Sequence, residues 1–138
     1  PEFAPYSIGG LEAKLFYDGT ATFSRNVLAD PPFRFWNTII GEGEAESPSN
    51  STLVLVQISG NPSENDIPPR RTVEFVAKSG RQTLLKKSME IGLFKDGKWY
   101  AAVWLYDTGC NPIELSARLT GQKQRAVAKA TIPFACGE

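Results

Sequence analysis

The sequence predicts an all-β, antiparallel sandwich with immunoglobulin-like architecture, and three observations carry that prediction. Short runs of β-branched and aromatic residues recur along the 138-residue chain, each closed by Gly, Pro, Asn or Asp. No stretch shows apolar residues at helical spacing. Two Asp-Gly dipeptides lie between apolar runs, where tight hairpin turns belong. A chain of this length suits one domain with one sizeable core. The domain is expected to span 4–138, with Pro1-Glu2-Phe3 read as the remnant of a cloning site.

The strands are expected in the following order. Glu12–Tyr17 and Thr20–Val27 flank Asp18-Gly19, which reads as the centre of a type I′ turn. Phe33–Ile40, Thr52–Ser59 and Thr72–Lys78 follow, separated by two long polar loops, Gly41–Ser51 and Gly60–Arg71. Thr83–Phe94 is a long run whose alternation falters at Lys86-Lys87, where a bulge is expected. Asp96-Gly97 then supplies a second type I′ turn into Lys98–Tyr106. A two-residue loop there pairs Lys95 with Lys98, Phe94 with Trp99, Leu93 with Tyr100, Ile91 with Ala102 and Met89 with Trp104. That register gives one face Met89, Ile91, Leu93, Tyr100, Ala102 and Trp104, the richer in large apolar groups, and assigns it to the core. Ile113–Thr120 and Ala126–Phe134 close the chain, for a total of about eight or nine strands. Architecture alone is meant by "immunoglobulin-like", because the Cys–Trp–Cys spacing of antibody domains is missing.

The last two strands carry the cysteines. Folded as a hairpin centred on Lys123, they set Leu119 opposite Val127, Leu115 opposite Thr131 and Cys110 opposite Cys136. A disulfide closing that hairpin stabilises the fold by about 3.5 kcal/mol on the chain-entropy model. It also places the chain in an oxidising compartment, either periplasmic or secreted.

Composition removes several functional classes. Fifteen basic and 15 acidic residues balance, which leaves no electrostatic footprint for nucleic acid. No apolar run is long enough to insert in a membrane. Histidine is absent, so a Ser-His-Asp or Cys-His site within this chain is impossible, and two cysteines without histidine are too few for a structural zinc. No cofactor is implied: Gly9-Gly10 and Gly41-Glu42-Gly43 lack the Lys and the strand-to-helix setting of phosphate loops.

Asp107-Thr108-Gly109 has the signature of an aspartic protease loop. Such enzymes press two carboxylates together so that they share a proton. Here one such loop exists, followed by Cys110 and only a hairpin's length of chain, so a strand-ending turn is expected instead. Glu42, Glu44 and Glu46 alternate and would line one side of an extended segment, as a calcium site needs, yet the spacing of known calcium loops is lacking. A solvated acidic loop is expected, with no metal site. Asn50-Ser51-Thr52 fits the glycosylation acceptor pattern.

The first functional expectation is a non-catalytic extracytoplasmic module that binds another protein, as an inhibitor, immunity or adaptor protein does. Recognition would fall to the two long loops, with Arg70 and Arg71 as anchors, because Arg offers a planar fork of donors. The alternative is a carbohydrate-binding module using Trp36 or Trp99, with Phe94, as exposed stacking surfaces. Tyr100, Trp104 and Tyr106 also alternate along one strand like a flat sugar platform, but the hairpin register turns Tyr100 and Trp104 inward. The third reading is a small hydrolase acting through paired carboxylates, for which no pair stands out.

Overall fold

A computed structural model describes residues 5–60 and 71–136. Among the described residues there are eight strands and no helix: β1 (Ser7–Tyr17), β2 (Thr22–Phe23), β3 (Ser51–Ser59), β4 (Thr72–Ser79), β5 (Gln82–Glu90), β6 (Lys98–Tyr106), β7 (Ile113–Thr120) and β8 (Val127–Ile132). They form two four-stranded antiparallel sheets, ordered β2-β1-β3-β6 and β5-β4-β7-β8. The expected sandwich is therefore present.

Period-two alternation builds the core. Ala13, Leu15 and Tyr17 of β1, Val54, Val56 and Ile58 of β3, and Ala101, Val103 and Leu105 of β6 face Val73, Phe75 and Ala77 of β4 and Ile113, Leu115, Ala117 and Leu119 of β7. In β1, Gly9 and Gly10 together oppose Gln57, a bulge that falls between Ile8 and Leu11.

The two Asp-Gly turns have different outcomes. Asp96 and Gly97 both take positive φ, 53° and 76°, and Lys95 pairs with Lys98. This is the expected type I′ geometry, and Gly97 supplies the second left-handed position without a Cβ clash. Asp18-Gly19 does not form such a turn. Tyr17 pairs with Thr22, so four residues make the loop, and Ala21 takes the positive φ.

The hairpin expected around Asp96-Gly97 stops at Lys95–Lys98. β5 ends at Glu90 and pairs with β4, whereas β6 pairs with β3 across the other sheet. The segment between them crosses from one sheet to the other. Thus none of the pairs from Phe94–Trp99 to Met89–Trp104 forms, and the face of β6 is set by β3. Val54 lies opposite Val103 and Val56 opposite Ala101, so Tyr100, Ala102 and Trp104 point outward, contrary to the expected core. Leu93, also expected inside, is 94% exposed, while Met89 and Ile91 do pack against the core. The bulge of β5 falls at Leu84, between the pairs Ala77–Leu85 and Lys78–Thr83, not at Lys86-Lys87.

Cys110 and Cys136 are bonded, with their Cα atoms 4.5 Å apart. The hairpin they close is one residue out of the expected register. Leu115 pairs with Ala130 and Arg118 with Val127, and the irregular segments beyond each strand absorb the offset.

Phe33–Ile40 is a loop, not a strand. Phe33, Phe35 and Phe134 stack in sequence with centroids 4.9 and 5.3 Å apart, and the Asn37 N–H donates to the Ala135 carbonyl. Beyond β2, the expected strand Thr20–Val27 gives way to side-chain pairing. The Leu15 N–H donates to Ser24 Oγ and the Ala13 N–H to Asn26 Oδ1, each at 2.9 Å. These two side chains stand in for the carbonyls of a regular neighbour and cover the edge of β1.

Arg25 holds this loop together. Its guanidinium contacts both carboxylate oxygens of Glu44, at 2.7 and 3.2 Å, donates to the carbonyls of Ala29 and Pro31, and lies over the Phe33 ring. The hydrogen bond from Arg25 holds the Glu44 carboxyl below its ordinary value, while partial desolvation opposes the shift. A carboxyl lowered by folding contributes stability above the ordinary carboxylate range, and the contribution is lost as pH falls through the folded value. Glu44→Gln is therefore expected to be less stable than wild type at neutral pH. The difference should close in acid, as read from denaturant midpoints over a pH series.

Candidate functional site

The outer face of the β2-β1-β3-β6 sheet carries an aromatic bowl. Register fixes its plan. Phe23 of β2 lies opposite Phe16 of β1, Phe16 opposite Ser51 of β3, and Ser51 opposite Tyr106 of β6. Trp104 sits two residues along β6 on the same face, ~7 Å from Tyr106 by strand geometry. The Phe16 ring is 5.2 Å from Phe23 and 5.6 Å, edge-on, from Trp104, and Phe23 is 5.9 Å from Trp104.

These rings are open to solvent where a ligand would meet them: Phe23 is 43% exposed, Trp104 38% and Tyr106 71%. Ser51 forms the floor and is buried beneath them. Asp18 and Asn50, both exposed, complete the wall of a depression of about 370 Å³. The bowl thus combines several ring faces with one carboxylate, one amide and two hydroxyls, those of Ser51 and Tyr106. An apolar concavity with a few convergent polar groups is the usual form of a small-ligand site. Tyr100 lies further along the same face, with its hydroxyl donating to Gln57 Oε1 at 2.9 Å.

The site residues expected from sequence lie elsewhere. Arg71 is 6% exposed, with its guanidinium 4.1 Å from the Tyr6 ring centroid, so it is a packing residue and not a surface anchor. Arg70 and most of the loop Gly60–Arg71 lie outside the described residues. Phe94 is half-buried against Tyr6, at 5.0 Å. Trp99 is half-buried and points inward opposite Ile58; a Cβ at Gly92 would lie 2.6 Å from its Nε1. Arg71 and Phe94 therefore both pack against the Tyr6 ring. Trp36 is exposed, but it does not line the bowl.

The remaining motifs have structural explanations. Asp107 and Gly109 both take positive φ, Thr108 is buried with its hydroxyl 2.8 Å from that of Thr52, and a Cβ at Gly109 would strike Ile39. This is a strand-ending turn. A cleft of about 520 Å³ beside it, between β5 and β6, has Asp107 as its sole carboxylate among the described residues. Asp18 is likewise the sole carboxylate lining the bowl. Of the acidic run, Glu44 is taken by Arg25 and does not stand free in solvent. Among the described residues no three acidic or thiol groups converge as a metal site would require.

Sequence contained one signal for the bowl. Along β6 the residues Ala101, Val103 and Leu105 are compact and apolar, whereas Tyr100 and Tyr106 carry hydroxyls that prefer water. Comparison with models of known protein families gives no match. Comparison with characterised proteins gives none either.

Proposed function

We propose that the protein is a non-catalytic extracytoplasmic binding module that takes a carbohydrate ring in the aromatic bowl. The observation that carries this reading is the pairing of exposed Trp104, Tyr106 and Phe23 with Asp18, Asn50 and Ser51 in one depression. A pyranose has a C–H face and a rim of hydroxyls. The negative faces of the rings attract the polarised C–H groups, while a carboxylate, an amide and two hydroxyls accept and donate at the rim. The disulfide is consistent with an oxidising compartment outside the cytoplasm, where glycans are abundant. Secretion and periplasmic residence are both compatible with it.

A protein partner is the second reading. Of its two expected anchors Arg71 is internal and Arg70 lies outside the described residues, but exposed Tyr and Trp are also enriched in protein interfaces. The test is retention on a panel of immobilised polysaccharides, followed by titration with soluble oligosaccharides. Retention by one glycan class, released by its free oligosaccharide and lost in Tyr106→Ala, supports the carbohydrate reading. Absence of retention on every glycan removes it and leaves the protein partner.

A further inference from the structure

Two four-stranded sheets have four edges, and three of them are guarded. β2 is two residues long, and the chain after it seals β1 with Ser24 and Asn26. β5 carries Lys86 and Lys87, and Lys87 shares the inward-facing parity of Leu85 and Met89. A charge pointing inward on an edge strand opposes pairing with another strand. β8 is short and carries Lys129. Beyond its first residue, Lys98, β6 has none of these devices. From Trp99 to Leu105 it has no charge, no proline and no glycine.

The free backbone groups of β6 can be assigned. Lys98 gives both its N–H and its C=O to Lys95, on the side away from β3. Backbone groups alternate sides along a strand, so Tyr100, Ala102, Trp104 and Tyr106 present theirs on that same open side. Among the described residues no backbone hydrogen bond reaches them there. The cleft against Gln82–Leu85 separates the Trp104–Tyr106 end from β5.

We infer that β6 pairs antiparallel with β6 of a second copy, across a two-fold axis at Val103. One register satisfies all four open residues: Tyr100 opposite Tyr106, and Ala102 opposite Trp104, each way across the axis. This yields about eight backbone hydrogen bonds. It sets a small side chain against a large one at the centre. It also brings the Lys98 end of each strand to the Asp107 end of the other, opposite charges that parallel pairing would separate. The two sheets become one of eight strands with both aromatic bowls on the same face, an isologous closed dimer. The inference rests on the edge of β6 and is independent of what the bowl binds.

Sedimentation equilibrium over a concentration series tests it, using wild type, Ala102→Pro and Ala102→Lys. The Ala102 N–H is unused within one copy, so proline there removes an intermolecular donor only. Lysine places two like charges beside the axis. Wild type should dimerise. Each folded variant, checked by far-UV circular dichroism, should dimerise at least about tenfold more weakly: the proline removes two hydrogen bonds, one from each copy, and the lysine sets like charges against each other. Should Ala102→Pro fail to fold, Ala102→Lys still gives the answer. A wild type that stays monomeric at every concentration, or a folded variant with undiminished dimerisation, overturns the inference.

Discussion

Trp104→Ala is expected to weaken glycan binding by about thirtyfold or more, the loss associated with a central aromatic anchor. Its effect on stability should be small, of order 1 kcal/mol, because the indole is exposed on the outer face and packs edge-on against Phe16 and at a tilt against Phe23. Trp99→Ala should show the reverse pattern. That indole faces inward at the end of the sandwich, with Gly92 against it, so its removal should cost about 3 kcal/mol and leave affinity nearly unchanged. The two variants differ in one ring each and exchange their effects. Equal losses of affinity in both would place the ligand elsewhere, and affinity unaffected by Trp104→Ala would empty the bowl of its function.

The second large effect concerns the disulfide. Replacing Cys110 and Cys136 together by alanine is expected to lower the unfolding free energy by about 3.5 kcal/mol, the loop entropy released when the 26-residue separation is no longer closed. Denaturant titration of the double variant, compared with wild type under oxidising conditions, reads this directly. The loss should persist with little change in near-neutral pH, since neither cysteine titrates when bonded. A loss below about 1 kcal/mol would show that β7, β8 and the Phe33–Phe35–Phe134 stack hold the hairpin closed without a cross-link.

The fold class was legible because alternation and turn chemistry are local. Val54, Val56 and Ile58 alternate with partly exposed neighbours, and Asp96-Gly97 carries its turn type in two residues. What could not be read locally was the partner of β6. A type I′ turn after a long apolar run implies a long hairpin. Here the chain instead crosses between sheets after Glu90, and β6 pairs with a strand about fifty residues earlier in the sequence, as the pair Leu53–Trp104 shows. That choice inverts every side chain of β6. Tyr100 and Trp104 thereby move from the expected core to the surface, and the platform rejected on the hairpin register becomes the candidate site. Trp99 moves the other way.

The same dependence on distant pairing hid the other contributors. Phe16 and Phe23 reach the bowl only through the four-residue loop that replaces the expected Asp18-Gly19 turn. The Arg25–Glu44 pair joins residues 19 apart across a segment that sequence pattern reads as separate strands. Arg71 was expected to offer its planar fork of donors to a partner, but its guanidinium lies over the internal Tyr6 ring.

The central claim is that ligand recognition occurs on the outer aromatic face. The chain has three tryptophans, and each indole N–H gives its own signal in a two-dimensional ¹H–¹⁵N spectrum. Titration of labelled protein with the oligosaccharide selected by the polysaccharide panel should shift the Trp104 indole signal and leave those of Trp36 and Trp99 in place. A shift confined to Trp36 or Trp99, or no indole shift under saturating ligand, would contradict the account.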